Sequence, residues 1–125
     1  GNPHAVLFVD AVDAAPVESL GSRLERHPAF PNRVNVEFVE VVDRRRVRQR
    51  TWERGVGETL ACGSGACAVA VVSILRGVCD RALTVALRGG ELELEWAADD
   101  APVFMTGPAA EVFRGTLRLP DAGGA

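Results

Sequence analysis

Apolar and polar positions along the chain alternate between a period of two and a helical period, and the segments they mark are short. His4–Val9 carries the run Val6-Leu7-Phe8-Val9 and predicts a strand. Pro16–Arg26 predicts a helix, with Leu20 and Leu24 four apart on one face and Pro16 suited to the first turn. His27-Pro28-Ala29-Phe30-Pro31-Asn32 is a loop punctuated by prolines. Val34–Val42 is rich in β-branched residues and predicts a strand. Asp43-Arg44-Arg45 is a turn into a second strand over Arg46–Arg54. That strand puts Arg46, Arg48 and Arg50 on one face and Val47, Gln49 and Thr51 on the other. The arginine ladder is expected to be a solvated face, because three like charges so close cannot form a stable buried set.

Gly55–Gly65 is a glycine-rich loop, followed by a predicted helix over Ala66–Leu75. That helix is apolar on every side and is therefore expected to be surrounded. Leu83–Leu87, Gly89-Gly90 and Glu91–Trp96 predict a hairpin. Its second strand sets Leu92, Leu94 and Trp96 against Glu91, Glu93 and Glu95, the pattern of a half-buried antiparallel strand. Val103–Thr106 and Glu111–Leu117 predict two more strands. The expected class is α+β, a mainly antiparallel or mixed sheet wrapped around one central apolar helix. One domain spans 1–120, with a flexible tail over 121–125.

The 125 residues suffice for one domain with a modest core. A net charge of −3 gives no support to a nucleic-acid or anionic-membrane partner, and no apolar run is long enough to span a bilayer. Cys62, Cys67 and Cys79 are odd in number and lack paired-ligand spacing, which argues against a disulfide framework and against a metal site. A reduced, cytoplasmic setting is expected. All fourteen basic residues are Arg, so the chain cannot supply the lysine amine that pyridoxal phosphate needs for covalent attachment.

The candidate chemistry lies in Cys62-Gly63-Ser64-Gly65. Glycines allow backbone N–H groups to approach a ligand, and a helix starting there offers unpaired donors and a partial positive charge. That is an anion site suited to a carboxylate. Ser64 could add a hydroxyl donor or cap the helix. The same field favours thiolate at Cys62. A carboxylate on the Gly63 and Ser64 amides would put its α-carbon beside the sulfur, an arrangement for removing an α-proton. Read alone, a cysteine before such a turn is equally a buried structural thiol. Cys67 and Cys79 read as structural. Glu53-Arg54 is either an exposed charge pair or a clamp for an amino group and a carboxylate, and Glu58 either a cap or loop scaffolding.

The run Thr51-Trp52-Glu53-Arg54-Gly55-Val56-Gly57-Glu58-Thr59-Leu60-Ala61-Cys62-Gly63-Ser64-Gly65-Ala66 closely resembles a signature of the diaminopimelate epimerase family. Gly1-Asn2-Pro3-His4 and Arg33-Val34-Asn35-Val36 resemble two further motifs of that family, in the same order. The resemblance implies two similar domains, each a sheet around an apolar helix, and interconversion of LL- and meso-2,6-diaminopimelate by two cysteines without cofactor or metal. It implies that Cys62 is one catalytic acid/base, with Gly63 and Ser64 on the α-carboxylate. Asn2, Asn35, Glu53 and Arg54 would contact the rest of the substrate. His4 and Glu53 would tune the cysteines' acidity, although a lone His4 on a strand reads equally as a structural histidine. The full-length enzyme would act on a small molecule, with a homodimer as a further expectation. The family's Asn-Cys-Gly-Asn-Gly-type segment, which bears the other cysteine, is absent. The chain therefore reads as the C-terminal part of a longer one, incomplete at its N-terminal side and inactive alone. Two alternatives remain: a related proline racemase-like isomerase, or a ligand-binding module without catalysis.

Overall fold

In the computed structural model, which describes residues 2–108 and 114–120, the alternating segments pair into one mixed sheet of seven strands. The elements are β1 (His4–Phe8), a 3-10 turn (Val12–Ala14), α1 (Val17–Glu25), β2 (Asn35–Asp43), β3 (Arg46–Glu53), β4 (Gly57–Thr59), α2 (Gly63–Leu75), β5 (Ala82–Leu87), β6 (Gly90–Glu95) and β7 (Phe104–Thr106). Strand order is β1-β2-β3-β5-β6-β7, with β4 added beside β3. β1–β2 and β3–β5 are parallel, and each parallel pair is joined through a helix, as parallel neighbours require. β2–β3, β3–β4, β5–β6 and β6–β7 are antiparallel.

Alternation along β2 separates two cores. Val36 and Phe38 join Val12, Val17 and Val34 under α1, with Leu20, Leu24 and Trp52 packed against them. Val39 joins Val47, Val85, Leu94 and Trp96 with the α2 residues Ala66, Val69, Ala70 and Ile74. Each fully buried branched or aromatic side chain here contributes roughly 1.5–3 kcal/mol of transfer free energy. The β6 alternation is as expected: Leu94 is buried while Glu91, Glu93 and Glu95 are exposed.

Several expectations change. α2 starts at Gly63, three residues before the predicted Ala66. Its Gly65, Ala66, Val69, Ala70, Ser73 and Ile74 are buried, whereas Cys67, Ala68, Val71 and Val72 are intermediate and Leu75 is exposed. The described residues thus cover one face of this helix closely and the opposite face in part. Pro16 is the N-cap of α1 and lies outside its first turn. β4 forms inside the predicted loop, where Thr59 and Glu58 pair with Thr51 and Trp52. The strand expected over Glu111–Leu117 is not formed over 114–117, and 111–113 lie outside the described residues, as does the tail 121–125. No helix among the described residues is long and apolar enough to cross a membrane.

The arginine face of β3 is not simply solvated. Arg46 pairs with Glu91, Arg48 with Asp13 at 2.8 Å, and Arg50 with Glu58 through two bonds of 2.7 and 3.0 Å. Arg50 is only 12% exposed and also donates to the Val12 carbonyl at 3.1 Å. Opposite charges on neighbouring elements neutralise each guanidinium separately, so no buried like-charge set arises.

Candidate active site

Three strand ends and one helix end converge on a polar site. On β1, β2 and β3 the residues that face α2 are apolar in mid-sheet and polar toward one end. There His4, Asn35, Glu37, Gln49, Thr51 and Glu53 replace the valines. The N-terminus of α2 lands on this polar end.

Cys62 is the N-cap of α2, with an extended backbone at φ −147° and ψ 103°. The Gly65 N–H donates to its Sγ at 3.4 Å, and the Ser64 Oγ lies 3.6 Å from the same sulfur. The cysteine therefore does the work of a capping serine or aspartate. Gly65 is thereby satisfied, and the Ala66 N–H donates to the Cys62 carbonyl at 2.9 Å. Gly63 and Ser64 occupy the first two helical positions, whose N–H groups have no acceptor inside the helix. Cys62 is 9% exposed.

Gly65 is required by close approach. A methyl group there would lie 2.6 Å from Glu37 Oε1 and 3.2 Å from both Cys62 Sγ and Gln49 Nε2. Only a residue without Cβ lets the helix end settle on the Glu37 carboxyl. Gly63 in turn is covered by Met105 of β7, whose Cε would lie 3.3 Å from a methyl at that position.

The predicted site residues occupy this region. Asn2 Nδ2 donates to Ser64 Oγ at 2.9 Å. Asn35, 1% exposed, donates to Asn2 Oδ1 and to the Pro3 carbonyl, and its Oδ1 accepts the Arg54 N–H at 2.7 Å. One buried amide thus ties the Asn2 segment to the turn after β3. Arg54 Nη1 donates to the Asn32 carbonyl at 3.1 Å, and Asn2, Pro3, Asn32 and Arg54 line one open hollow. Glu53 ends β3 close enough to Glu37 that its charge adds to the upward push on the Glu37 carboxyl. His4 Nδ1 lies 2.8 Å from Glu37 Oε1.

The loop that carries Cys62 is anchored on both sides. Glu58, held below its ordinary value chiefly by its bonds to Arg50, also meets Arg88 at 3.1 Å. It is loop scaffolding and does not cap α2. The Gly89 N–H donates to the Leu60 carbonyl at 2.8 Å. Upstream, the buried Glu25 carboxylate accepts Trp52 Nε1–H at 2.8 Å and the Gly55 N–H at 2.9 Å. These bonds, the Trp52 bond first, pull its acidity up and hold the Glu53-Arg54-Gly55 turn.

Sequence reasoning missed Glu37, Gln49 and Met105. Glu37 reads as one more polar residue in an alternating strand, and its partner His4 is 33 residues away. Burial pushes the Cys67 and Cys79 thiols up. All three cysteines are free. Among the described residues, no three His, Cys, Asp or Glu side chains converge as a metal site would require.

The fold and site define a mixed-sheet α+β domain with a cysteine capping a helix packed on the sheet. The same fold occurs in phenazine biosynthesis proteins of the PhzF family, from Enterococcus faecalis (TM-score 0.59, 20% identity, 77% of this chain and 34% of that one) and from Bacillus anthracis (TM-score 0.58, 21% identity, 84% and 34%). The sequence profile named diaminopimelate epimerase matches residues 1–112, and the chain belongs to that family. It is 59% identical over 119 residues to the diaminopimelate epimerase of Ectopseudomonas mendocina, which covers 95% of this chain and 43% of that protein. It is 56% identical over 121 residues to that of Acetivibrio thermocellus, covering 97% and 43%. The chain thus spans less than half the length of these curated relatives.

Proposed function

We propose that Cys62 is one of the two acid/base thiols of a cofactor-independent amino-acid epimerase. The full-length enzyme would interconvert LL- and meso-2,6-diaminopimelate, in lysine and peptidoglycan precursor biosynthesis. The observation that carries this is the Cys62 cap itself. Its sulfur lies 3.4 Å from the Gly65 nitrogen, directly beside the two helix-end N–H groups of Gly63 and Ser64.

A substrate α-carboxylate accepts those two N–H groups, with Asn2 holding the Ser64 hydroxyl in place. The α-carbon then lies against Cys62 Sγ. As thiolate, Cys62 takes the α-proton, and the electron pair left on carbon spreads into the carboxylate. The helix end and its donors stabilise that charge as it develops. A second cysteine, supplied by another part of a full-length epimerase chain, delivers a proton to the opposite face and inverts the centre. In the reverse direction the roles exchange. Arg54, Glu53 and Asn35 recognise the distal amino-acid end, and His4 and Glu53 tune the thiols. The remaining proposals are the family's twin-domain arrangement, with each sheet wrapped around its apolar helix, a homodimer and a cytoplasmic location.

The test is an assay of the full-length protein with LL-diaminopimelate and with proline. Turnover of diaminopimelate alone is expected. Turnover of proline alone would replace the proposal with a racemase of a monoamino acid.

A further inference from the structure

Glu37 is a carboxyl where alternation calls for a core residue. It is the third residue of β2, 0% exposed, opposite Val6 of β1 and Thr51 of β3, on the face that meets α2. Burying an ionised carboxylate without a compensating charge is costly. Three atoms of this cluster, Glu37 Oε2, His4 Nε2 and Gln49 Oε1, are buried with no hydrogen-bond partner. A carboxyl held under those conditions, against Gly65 in the first turn of α2, calls for a role.

Around Glu37 stand His4 from β1, Glu53 from β3 and Cys62 from the start of α2, with the neutral Gln49 and Thr51 beside them. His4 is the group here that can offset a charge. If the pair held only the imidazole's own proton, it would set a net negative charge against a sulfur that must itself become negative. Burial acts in the other direction and pushes the Glu37 carboxyl up, opposed in part by His4.

We propose that Glu37 is a positioning residue for Cys62: Glu37 and His4 share an additional proton, carry no net charge as a pair, and form the floor on which the Cys62–Gly65 turn rests. Written as charges, the pair is either neutral acid with neutral imidazole, the proton on Oε1, or carboxylate with imidazolium, the proton on Nδ1. In both forms Nε2 carries a hydrogen. The floor fixes the sulfur through Gly65, which fits only because Glu37 Oε1 meets bare Cα, and it spares the thiolate a neighbouring carboxylate charge.

The inference rests on the acid/base role proposed for Cys62, but two of its readouts need no substrate. The first is side-chain nitrogen NMR of the full-length protein labelled at histidine, with signals in this chain assigned through His4→Gln and His27→Gln, its two histidines. A protonated His4 Nε2 at neutral pH is expected, and a bare Nε2 would overturn the shared proton. The second is the rate of Cys62 alkylation by iodoacetamide. In Glu37→Gln it should stay within about twofold of the parent, because one neutral floor replaces another, whereas a rise of about tenfold would reveal a full carboxylate charge beside the sulfur. The third readout is turnover. Glu37→Ala should lower kcat about tenfold or more with KM changed less than roughly threefold, and Glu37→Gln should restore part of it. Parent-like kcat in Glu37→Ala would remove the positioning role. Should Glu37→Ala not fold, Glu37→Gln and the NMR readout still decide. If the first two readouts behave as expected and the parent shows no epimerase activity, the proposed function fails while the neutral pair stands.

Discussion

Cys62 caps its own helix: its sulfur accepts the Gly65 N–H at 3.4 Å, and Gly65 in turn leaves room for the Glu37 carboxyl to sit beneath that turn. Sulfur, helix end and buried acid are thereby fixed relative to one another by a single residue without a side chain. Gly65→Ala puts a methyl 2.6 Å from Glu37 Oε1. It should destabilise the protein by about 1–3 kcal/mol, the usual cost of overpacking, and displace the sulfur. Chemical denaturation measures the first effect. Turnover of the full-length enzyme measures the second, with a loss larger than the stability change explains.

The three thiols should differ in reactivity. Burial pushes Cys67 and Cys79 up, and a thiol so shifted is a poor nucleophile at neutral pH. Cys62, at the positive end of α2, should be alkylated first. Mass spectrometry of peptides after brief iodoacetamide treatment of the folded protein reads the order. Equal labelling of all three would contradict a thiol poised by the helix end.

Glu25 holds the Glu53-Arg54-Gly55 turn from α1. Glu25→Ala removes the acceptor of the half-buried Trp52 Nε1–H and of the Gly55 N–H, which should cost about 1–2 kcal/mol. Because the turn carries Glu53 and Arg54, KM for diaminopimelate should rise as well. A variant with parent-like denaturation midpoint and KM would show that the turn holds itself.

Stability should depend on pH from two directions. Glu25 and Glu58 are held below the ordinary value near 4.5, by Trp52 first for Glu25 and by Arg50 first for Glu58. Their contribution is complete above that value and is lost as pH falls through the lowered folded values. Glu37 is raised, chiefly by burial, so folding favours its protonated form. Its contribution is present below about 4.5 and is lost as pH rises through the raised value. Glu58→Gln should therefore flatten the acid limb of a plot of denaturation midpoint against pH, and Glu37→Gln the limb above it.

Much of this was legible in the chain. The β6 alternation and the separate faces of β3 follow from periodicity, because side-chain direction in a regular element is fixed by geometry. The helix start was not, because Gly63 and Gly65 read as loop by propensity. Tertiary contact overrides that: the Cys62 cap and the Glu37 carboxyl below hold two glycines in a helical turn. β4 was hidden because a three-residue strand has no period to read. The arginine face looked solvated because its partners Asp13, Glu58 and Glu91 come from other elements, and no local pattern announces a cross-element ion pair. His4 and Glu37 were separated for the same reason. Their meeting depends on the parallel β1–β2 register.

The central claim is that Cys62 moves the α-proton. The most direct measurement is solvent-deuterium incorporation at the α-carbon, followed by mass spectrometry, as the full-length enzyme converts LL- to meso-diaminopimelate. For Cys62→Ala the conversion should fall by about three orders of magnitude or more, as loss of a reacting acid/base demands, with substrate still bound. Incorporation and conversion within a few-fold of the parent enzyme would contradict the role assigned to this sulfur.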